Sequence, residues 1–427
     1  MLMALKEIVI IGGGFAGINV AMQLSKEKEY HITLVDRNNY NFFPPLLYQV
    51  ATGFLESSNI SYPFRKLFQG KKNINFRMGE FLKVVQSENK IVLSTCELKY
   101  DYLVFATGAE TNFFGMENVK KNAIPMKTVS DALEMRNHFL LKMEQATVTA
   151  DVNERRKLLN IVVAGGGPTG VEVSGMLAEM RKNILSKDYP ELASSKTGSN
   201  IYLVDGSSAV LSPMSVKSQK DTYDALTKLG VIIKLNIHVT DYVNDVVFLD
   251  NGETIETKTL MWAAGVTAHV FEGIAKESYG RGKRMMVDEF NKVQDTQNIY
   301  AIGDTCIQTS DSNFPDGHPQ LAQTAIQQGK NLAINFIALA NGKALKPFKY
   351  IDKGSLAIIG RNKAVADLPK KLHFKGFIAW FIWVFIHLVS LINYRNRVKT
   401  LYNWMIAYFT KDQSLRMIIR PAKDGEE

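Results

Sequence analysis

The sequence predicts an α/β protein: two Rossmann-like, doubly wound dinucleotide-binding domains followed by C-terminal amphipathic helices that lie on a membrane surface. Three observations predict it. A glycine turn occurs twice, each time behind an apolar strand; an acid ends the strand that follows each turn; and an uncharged run near the C-terminus is bracketed by basic residues.

The first copy runs from Ile8-Val9-Ile10-Ile11 into Gly12-Gly13-Gly14-Phe15-Ala16-Gly17, and its next strand, His31 to Val35, ends at Asp36. The second runs from Ile161 to Ala164 into Gly165-Gly166-Gly167-Pro168-Thr169-Gly170, and its next strand, Ile201 to Val204, ends at Asp205. In such a turn the first glycine makes the bend, the second lets the backbone approach a pyrophosphate, and the third lets the helix pack close to the strand. The helix N-terminus then faces the phosphates with unpaired N–H groups and the positive end of its dipole. A single GxGxxG is weak evidence, but two copies in full strand-turn-helix-strand-acid context are specific. Two such sites in one chain most simply hold a resident electron carrier and a visiting donor.

With 427 residues the chain is long enough for two or three domains, each with its own core. Its two cysteines, Cys96 and Cys306, form neither a CxxC nor a disulfide framework, which points to an intracellular protein. No signal peptide is expected, because the apolar N-terminal run leads straight into the turn at Gly12. The net charge is +9, and residues 361–420 alone carry eleven Lys/Arg against Asp367 and Asp412, so the rest of the chain sums to zero. These basic residues bracket an apolar run instead of forming a solvated stripe, which favours an anionic lipid surface over nucleic acid.

Tyr100 to Gly108 and Thr259 to Gly265 both read as a buried strand ending in a Gly turn, so the second half looks like an inserted copy of the first. Val129 to Leu158 reads as a polar helical stretch and Lys187 to Asn200 as a loop-like insertion; Asn298 to Asp304 reads as a buried strand, after which the chain returns to the first domain. The run Gly376 to Tyr394 is uncharged. As one helix it would reach about 28 Å, close to the roughly 30 Å of a hydrocarbon core. Lys370, Lys371 and Lys375 precede it and Arg395, Arg397 and Lys399 follow, which puts both ends on the cytoplasmic side and favours a helix in the membrane plane. Trp380, Trp383, Trp404, Tyr394, Tyr402 and Tyr408 suit a headgroup boundary. A single span and a buried core or dimer helix are the alternatives.

Both glycine turns, FPPLLYQVATG at Phe43 to Gly53, ATG at Ala106 to Gly108, AIGD at Ala301 to Asp304, LAQTAIQQG at Leu321 to Gly329 and the amphiphilic tail together resemble the type II NADH:quinone oxidoreductase family. These are single-subunit, non-pumping flavoenzymes of the respiratory chain. The glycine turns and GD motif are common to the wider two-dinucleotide-binding flavoprotein superfamily; FPPLLYQVATG, AQTAIQQG and the tail point to this family. The resemblance implies an FAD-binding domain over 1–120 and 288–370, an NADH-binding domain over 121–287 and a membrane-anchoring domain over 371–427. It also implies a quinone, menaquinone or ubiquinone, reaching the flavin from the membrane side, a peripheral, monotopic place on the cytoplasmic face of the cell membrane, and leaves a homodimer open.

The resemblance places cofactor contacts at Gly12, Gly14, Phe15, Ala16, Gly17, Asp36, Arg37, Ala106, Thr107, Gly108, Gly303, Asp304, Gln323, Thr324 and Ala325, and at Gly165, Gly167, Pro168, Thr169, Gly170, Glu172, Asp205, Ala264 and Gly265. Glu172, Gln323 and Gln327 are the implied catalytic residues, with Gln323, Gln327 and Lys375 on the quinone side. The residues themselves agree at several of these positions. Asp36 suits the adenosine ribose of FAD and Asp304 the ribityl chain. Asp205 is followed by Gly206, Ser207 and Ser208 with no adjacent arginine, which favours NADH over NADPH. Pro319 is expected to open a helix on which Ala322, Ala325 and Gly329 form a small-residue face for close approach to a flat ring. Gln323 and Gln327 share a neighbouring face; tight packing on another element is the competing explanation. Some relatives carry a histidine where Ile326 stands, so that position is not expected to donate a proton here. Glu172 is placed in the first turn of its helix, where the dipole alone favours an acid.

His387 reads as a packed or interfacial histidine, and Lys375 as either near the quinone entrance or anchored at phosphates. No metal is expected, because no His/Cys cluster exists, and no proton pumping, because several spanning helices are lacking. One rival is a sulfide:quinone or disulfide-active flavoprotein, which needs redox cysteines near the first turn or in a close pair. The other is a membrane-bound redox sensor or scaffold that binds both nucleotides and turns over slowly.

Overall fold

Strand Lys6–Ile11 is apolar at its last four positions, 8–11, because both of its faces are covered there. Ile8 and Ile10 join one core cluster with Leu332 and Phe336, while Val9 and Ile11 join another with Phe105 and Ile299. In the computed structural model this strand is central to a five-stranded parallel sheet ordered Ile299–Ala301, Tyr102–Phe105, Lys6–Ile11, Tyr30–Asp36, Ile74–Met78. The structure describes residues 5–183, 185–193, 198–410 and 415–419.

A second five-stranded parallel sheet repeats the arrangement in the order Ile124–Pro125, Leu260–Trp262, Ile161–Ala164, Ile201–Asp205, Val231–Leu235. The two copies agree bond by bond at their turns. Gly12 N donates to Val35 O and Ala106 N to Ile11 O; correspondingly, Gly165 N donates to Val204 O and Ala263 N to Ala164 O.

The chain falls into two compact units, one of Met1–Phe42, Tyr62–Glu110 and Val266–Lys353, the other of Phe43–Ser61, Thr111–Gly265 and Gly354–Glu427. These boundaries differ from the expected 1–120, 121–287, 288–370 and 371–427: the return comes at Val266, and the tail is part of the second unit. The tail is held there by a three-stranded antiparallel sheet, Ser355–Gly360, Lys363–Leu368 and Leu372–Lys375, which the sequence reading did not anticipate. Its first strand lies against helix Pro168–Asn183 so closely that a Cβ at Gly175 would sit 1.8 Å from the Ile359 carbonyl oxygen.

Local differences have local causes. The polar helical stretch is two helices, Val129–Val148, started by a Thr128–Asp131 capping box, and Val152–Leu159, capped by Asp151. The insertion begins with short helices Leu185–Asp188 and Pro190–Ala193, while its residues 194–197 lie outside the described residues. The Asn298 to Asp304 segment is a strand only over Ile299–Ala301; Gly303–Thr305 form a 3-10 turn. Pro319 does not open a helix: Ala322–Ala340 starts three residues later with Leu321 at its N-cap, whereas Pro168 does occupy a first helical position.

The uncharged run is not one helix. Helix Gly376–Ser390 gives way to extended backbone at Leu391, and a second helix follows at Tyr394–Thr410. The first of these has fifteen residues, about 22 Å, short of the roughly 30 Å of a bilayer core. Among the described residues no helix is long and apolar enough to cross a membrane.

Candidate active site

Each turn separates the three glycine duties in its contacts. A Cβ at Gly12, whose φ is +101°, would lie 2.4 Å from the Ala106 carbonyl oxygen, and one at Gly17 would lie 2.0 Å from Gly12 O. In the second turn the corresponding distances are 2.5 Å from Gly165 to Ala263 O, with φ +112°, and 1.8 Å from Gly170 to Gly165 O. Gly14 and Gly167 are different: a Cβ there would meet nothing within 4 Å. The first and third glycines are therefore fixed by the protein's own backbone, and the second leaves the open face that a pyrophosphate needs. Both cradles fit a dinucleotide on this ground.

Both strand-end acids brace their own turn. Asp36 accepts hydrogen bonds from Gly13 N (2.7 Å) and Asn38 N (2.8 Å). Burial raises its pKa above the ordinary carboxylate value, against the pull of these N–H groups and of Arg37. Asp205 accepts from Gly166 N and from Ser207 N (2.6 Å). Two residues the sequence reading missed complete the first turn: buried Asn41 donates to Gly13 O (2.7 Å), and the Phe64 ring fills the space a Gly13 Cβ would take. Arg37 itself is exposed.

Within the first unit the GD turn and helix Ala322–Ala340 converge on this cradle. A Cβ at Gly303 would lie 3.4 Å from both Ala16 Cβ and Ala325 Cβ, and Gly303 N donates to Gln328 Oε1 (2.7 Å). Gln328, buried and missed from sequence, thus fixes the Gly303 turn, while Gln320 donates to Asp304 O (2.9 Å) and Thr107 to Thr305 Oγ1 (3.1 Å). Thr324 is buried at the helix start. The small-residue face serves helix packing at Gly329, where a Cβ would lie 2.5 Å from Ala16 O, so the competing explanation holds at that residue. Gln327 donates to Ile351 O and accepts from Ile351 N, and Gln323 accepts from Lys353 N. Their amides hold the extended segment that follows the helix.

Within the second unit the most strongly shifted carboxyl is Glu172. It is the fifth residue of helix Pro168–Asn183, beyond the first turn, because the helix starts at Pro168; the helix dipole does not account for it. Burial pushes its carboxyl up to about 8, and the Ile358 N–H and the Trp383 indole N–H pull the other way, the indole from outside full hydrogen-bond geometry. Tyr48 and Gln49, from the FPPLLYQVATG segment, are buried here too. Gln49 donates to the Tyr48 hydroxyl (2.9 Å) and accepts from Trp404 Nε1 (2.7 Å), and burial followed by the Glu172 charge holds the phenol well above its ordinary range. His387 stacks on Trp383 with ring centroids 4.0 Å apart, donates to Trp383 O (2.8 Å), and is lowered by burial to about 4. Lys375, just before the tail helix, pairs with Asp221 (2.9 Å). Ala264 and Gly265 follow strand Leu260–Trp262, with Gly265 O accepting from Asn112 N.

No group of His, Cys, Asp and Glu among the described residues is arranged to hold a metal ion. Cys96 is exposed and Cys306 buried, with burial pushing the latter up to about 12; they make no pair.

Two parallel sheets, each with an open glycine cradle and a bracing acid, define a flavoprotein of the pyridine nucleotide-disulphide oxidoreductase class, and that family matches residues 6–329. The NDH2 C-terminal domain matches residues 353–417, the antiparallel sheet and tail helices. A type II NADH:quinone oxidoreductase of Mycobacterium tuberculosis is 36% identical over 419 residues, which cover 94% of this chain and 87% of the relative. The chain belongs to the type II NADH:quinone oxidoreductase family. Among solved structures, NDH2 from Plasmodium falciparum in complex with NADH is similar with a TM-score of 0.87 at 23% identity, covering 98% of this chain and 100% of that one. The sulfide:quinone oxidoreductase of Aquifex aeolicus is similar at 0.71 and 20% identity, covering 95% and 96%. At these identities the likeness is one of fold.

Proposed function

We infer that this chain is an FAD-dependent NADH:quinone oxidoreductase that moves a hydride from NADH to FAD and two electrons on to a quinone, without pumping protons. The observation that carries the reading is the pair of cradles, each closed by backbone at its outer glycines and open at Gly14 and Gly167. Bound FAD supplies the hydride acceptor and the two-electron donor. The first cradle, with Asp36 and the Gly303-Asp304 turn, holds FAD; the second, with Asp205, holds NADH. Glu172, protonated at neutral pH because burial raises it to about 8, keeps a proton on its carboxyl inside the second unit. Gln323 and Gln327 position the quinone side through the segment they bind, and Lys375 anchors the tail at Asp221.

The membrane reading rests on the tail. Phe377, Ile378, Phe381, Phe385 and Val389 are exposed on helix Gly376–Ser390, while Ala379 and Trp383 are buried. With basic residues on both flanks, this face suits peripheral attachment to anionic lipid on the cytoplasmic face of the membrane. The same face pairing two copies of the chain is the competing use, which vesicle flotation against sedimentation in detergent separates.

The test is an anaerobic absorption titration of the purified protein with NADH, then with a menaquinone or ubiquinone analogue. The yellow flavin spectrum should bleach with NADH and return with quinone. Colourless protein that takes up no FAD refutes the first cradle, and bound flavin that NADH does not reduce refutes the second. Slow return with quinone favours the sensor or scaffold. Converting Cys96 and Cys306 to serine should leave NADH oxidation intact, and abolition would revive the thiol chemistry of the sulfide:quinone enzymes.

A further inference from the structure

Strands Ile201–Asp205 and Val231–Leu235 end side by side, and the chain beyond them is stitched together: Ile237 N donates to Asp205 O (3.2 Å) and Asn236 N to Ser207 O (3.0 Å). This register sets His238 against Gly206. A Cβ at Gly206 would lie 2.0 Å from His238 Nε2 and 2.5 Å from Cδ2, so a side chain there would have to push the imidazole aside. On its other edge His238 Nδ1 bonds Asp250 Oδ2 (2.9 Å), and Asp250 N donates to His238 O (3.0 Å). These contacts hold Asp250 below the ordinary carboxylate range. The His238 side chain is nevertheless 70% exposed. An imidazole tethered to Asp250, with an open face, thus stands beyond the carboxyl ends of two adjacent parallel strands, next to the acid expected to meet a ribose, where nucleotides bind in open α/β sheets.

We propose that His238 is a second adenosine-recognition residue of the NADH site, walling it beside Asp205 and contacting the adenosine half of the dinucleotide through its open face. The proposal rests on the assignment of NADH to the second cradle.

The experiment compares NADH with reduced nicotinamide mononucleotide, which carries the same hydride but no adenosine, in the FAD-loaded enzyme. His238→Ala should raise the KM for NADH roughly tenfold with kcat unchanged, as loss of a ground-state contact does, and leave the KM for the mononucleotide where it was. Gly206→Ala should raise the NADH KM by displacing the ring, and in the His238→Ala background it should add nothing further. An unmoved NADH KM in His238→Ala, a parallel rise for both substrates, or fully additive effects of the two substitutions would overturn the proposal. Failure of the underlying assignment looks different: wild-type flavin would then not be reduced by NADH at all.

Discussion

Replacing Glu172 with glutamine isolates the most perturbed carboxyl in the second unit. Burial moves it from an ordinary 4.5 to about 8. An acid whose value is raised in the folded state contributes stability that is fully present below the unfolded value and is lost as pH rises through the folded one, here across pH 4.5 to 8. At about 1.4 kcal/mol for each tenfold change in proton affinity, the loss is on the order of 5 kcal/mol, less whatever relaxation of the surroundings recovers. Glutamine cannot ionise, keeps an acceptor for the Ile358 N–H, and escapes this loss. The Tm of Glu172→Gln relative to wild type should therefore climb between pH 5 and pH 9, by roughly five degrees or more for a unit of this size. Differential scanning fluorimetry of the FAD-loaded proteins at half-unit pH steps measures it. A Tm difference that stays flat over that range would falsify the claim that the carboxyl is buried and held protonated.

The paired glycines give a sharper contrast. Gly12→Ala, with φ +101° and a Cβ 2.4 Å from Ala106 O, should leave less than a tenth of the flavin bound and lower the Tm of the flavin-free protein, whereas Gly14→Ala, with nothing within 4 Å, should keep that flavin-free Tm and lose flavin affinity only; absorbance ratios and melting curves decide. Asp205→Asn should raise the NADPH-to-NADH ratio of kcat/KM about tenfold or more by removing repulsion of the 2′-phosphate, and an unchanged ratio counts against its placement at the ribose. Phe381→Glu with Phe385→Glu, both 59% exposed, should cut co-sedimentation with anionic vesicles at least tenfold without moving the Tm; undiminished binding would reject the tail face as the lipid contact.

What the sequence made legible was what local physics dictates. Ile8 to Ile11 and Ile161 to Ala164 are continuous apolar runs because both faces of each sheet are buried, and the glycines that follow them are required by backbone oxygens a few residues away. Asp36 and Asp205 were readable for the same reason, since each binds an N–H of its own βαβ unit. The hairpin of Ser355–Gly360 and Lys363–Leu368 was legible but overlooked: two apolar runs flank Arg361-Asn362, and Asn362 has the positive φ of a turn. The break in the tail also has a local signal. Asn393 Oδ1 accepts from Arg395 N at the start of the second helix, and Arg397 donates to Leu391 O and Val389 O at the end of the first. Trp383 beside Glu172, Gln328 beneath Gly303 and the bonds of Gln323 and Gln327 to residues 351–353 were not legible, because tertiary pairing alone brings such distant positions together.

The contact between Gly175 and Ile359 makes the last seventy or so residues a poor target for trimming. A shortened version prepared for easier handling would strip away Ile358 and Trp383, flood the Glu172 pocket with water and return that carboxyl toward the acidity of a free side chain. Catalytic measurements on such a truncated form would report on a different acid from the one the intact enzyme carries.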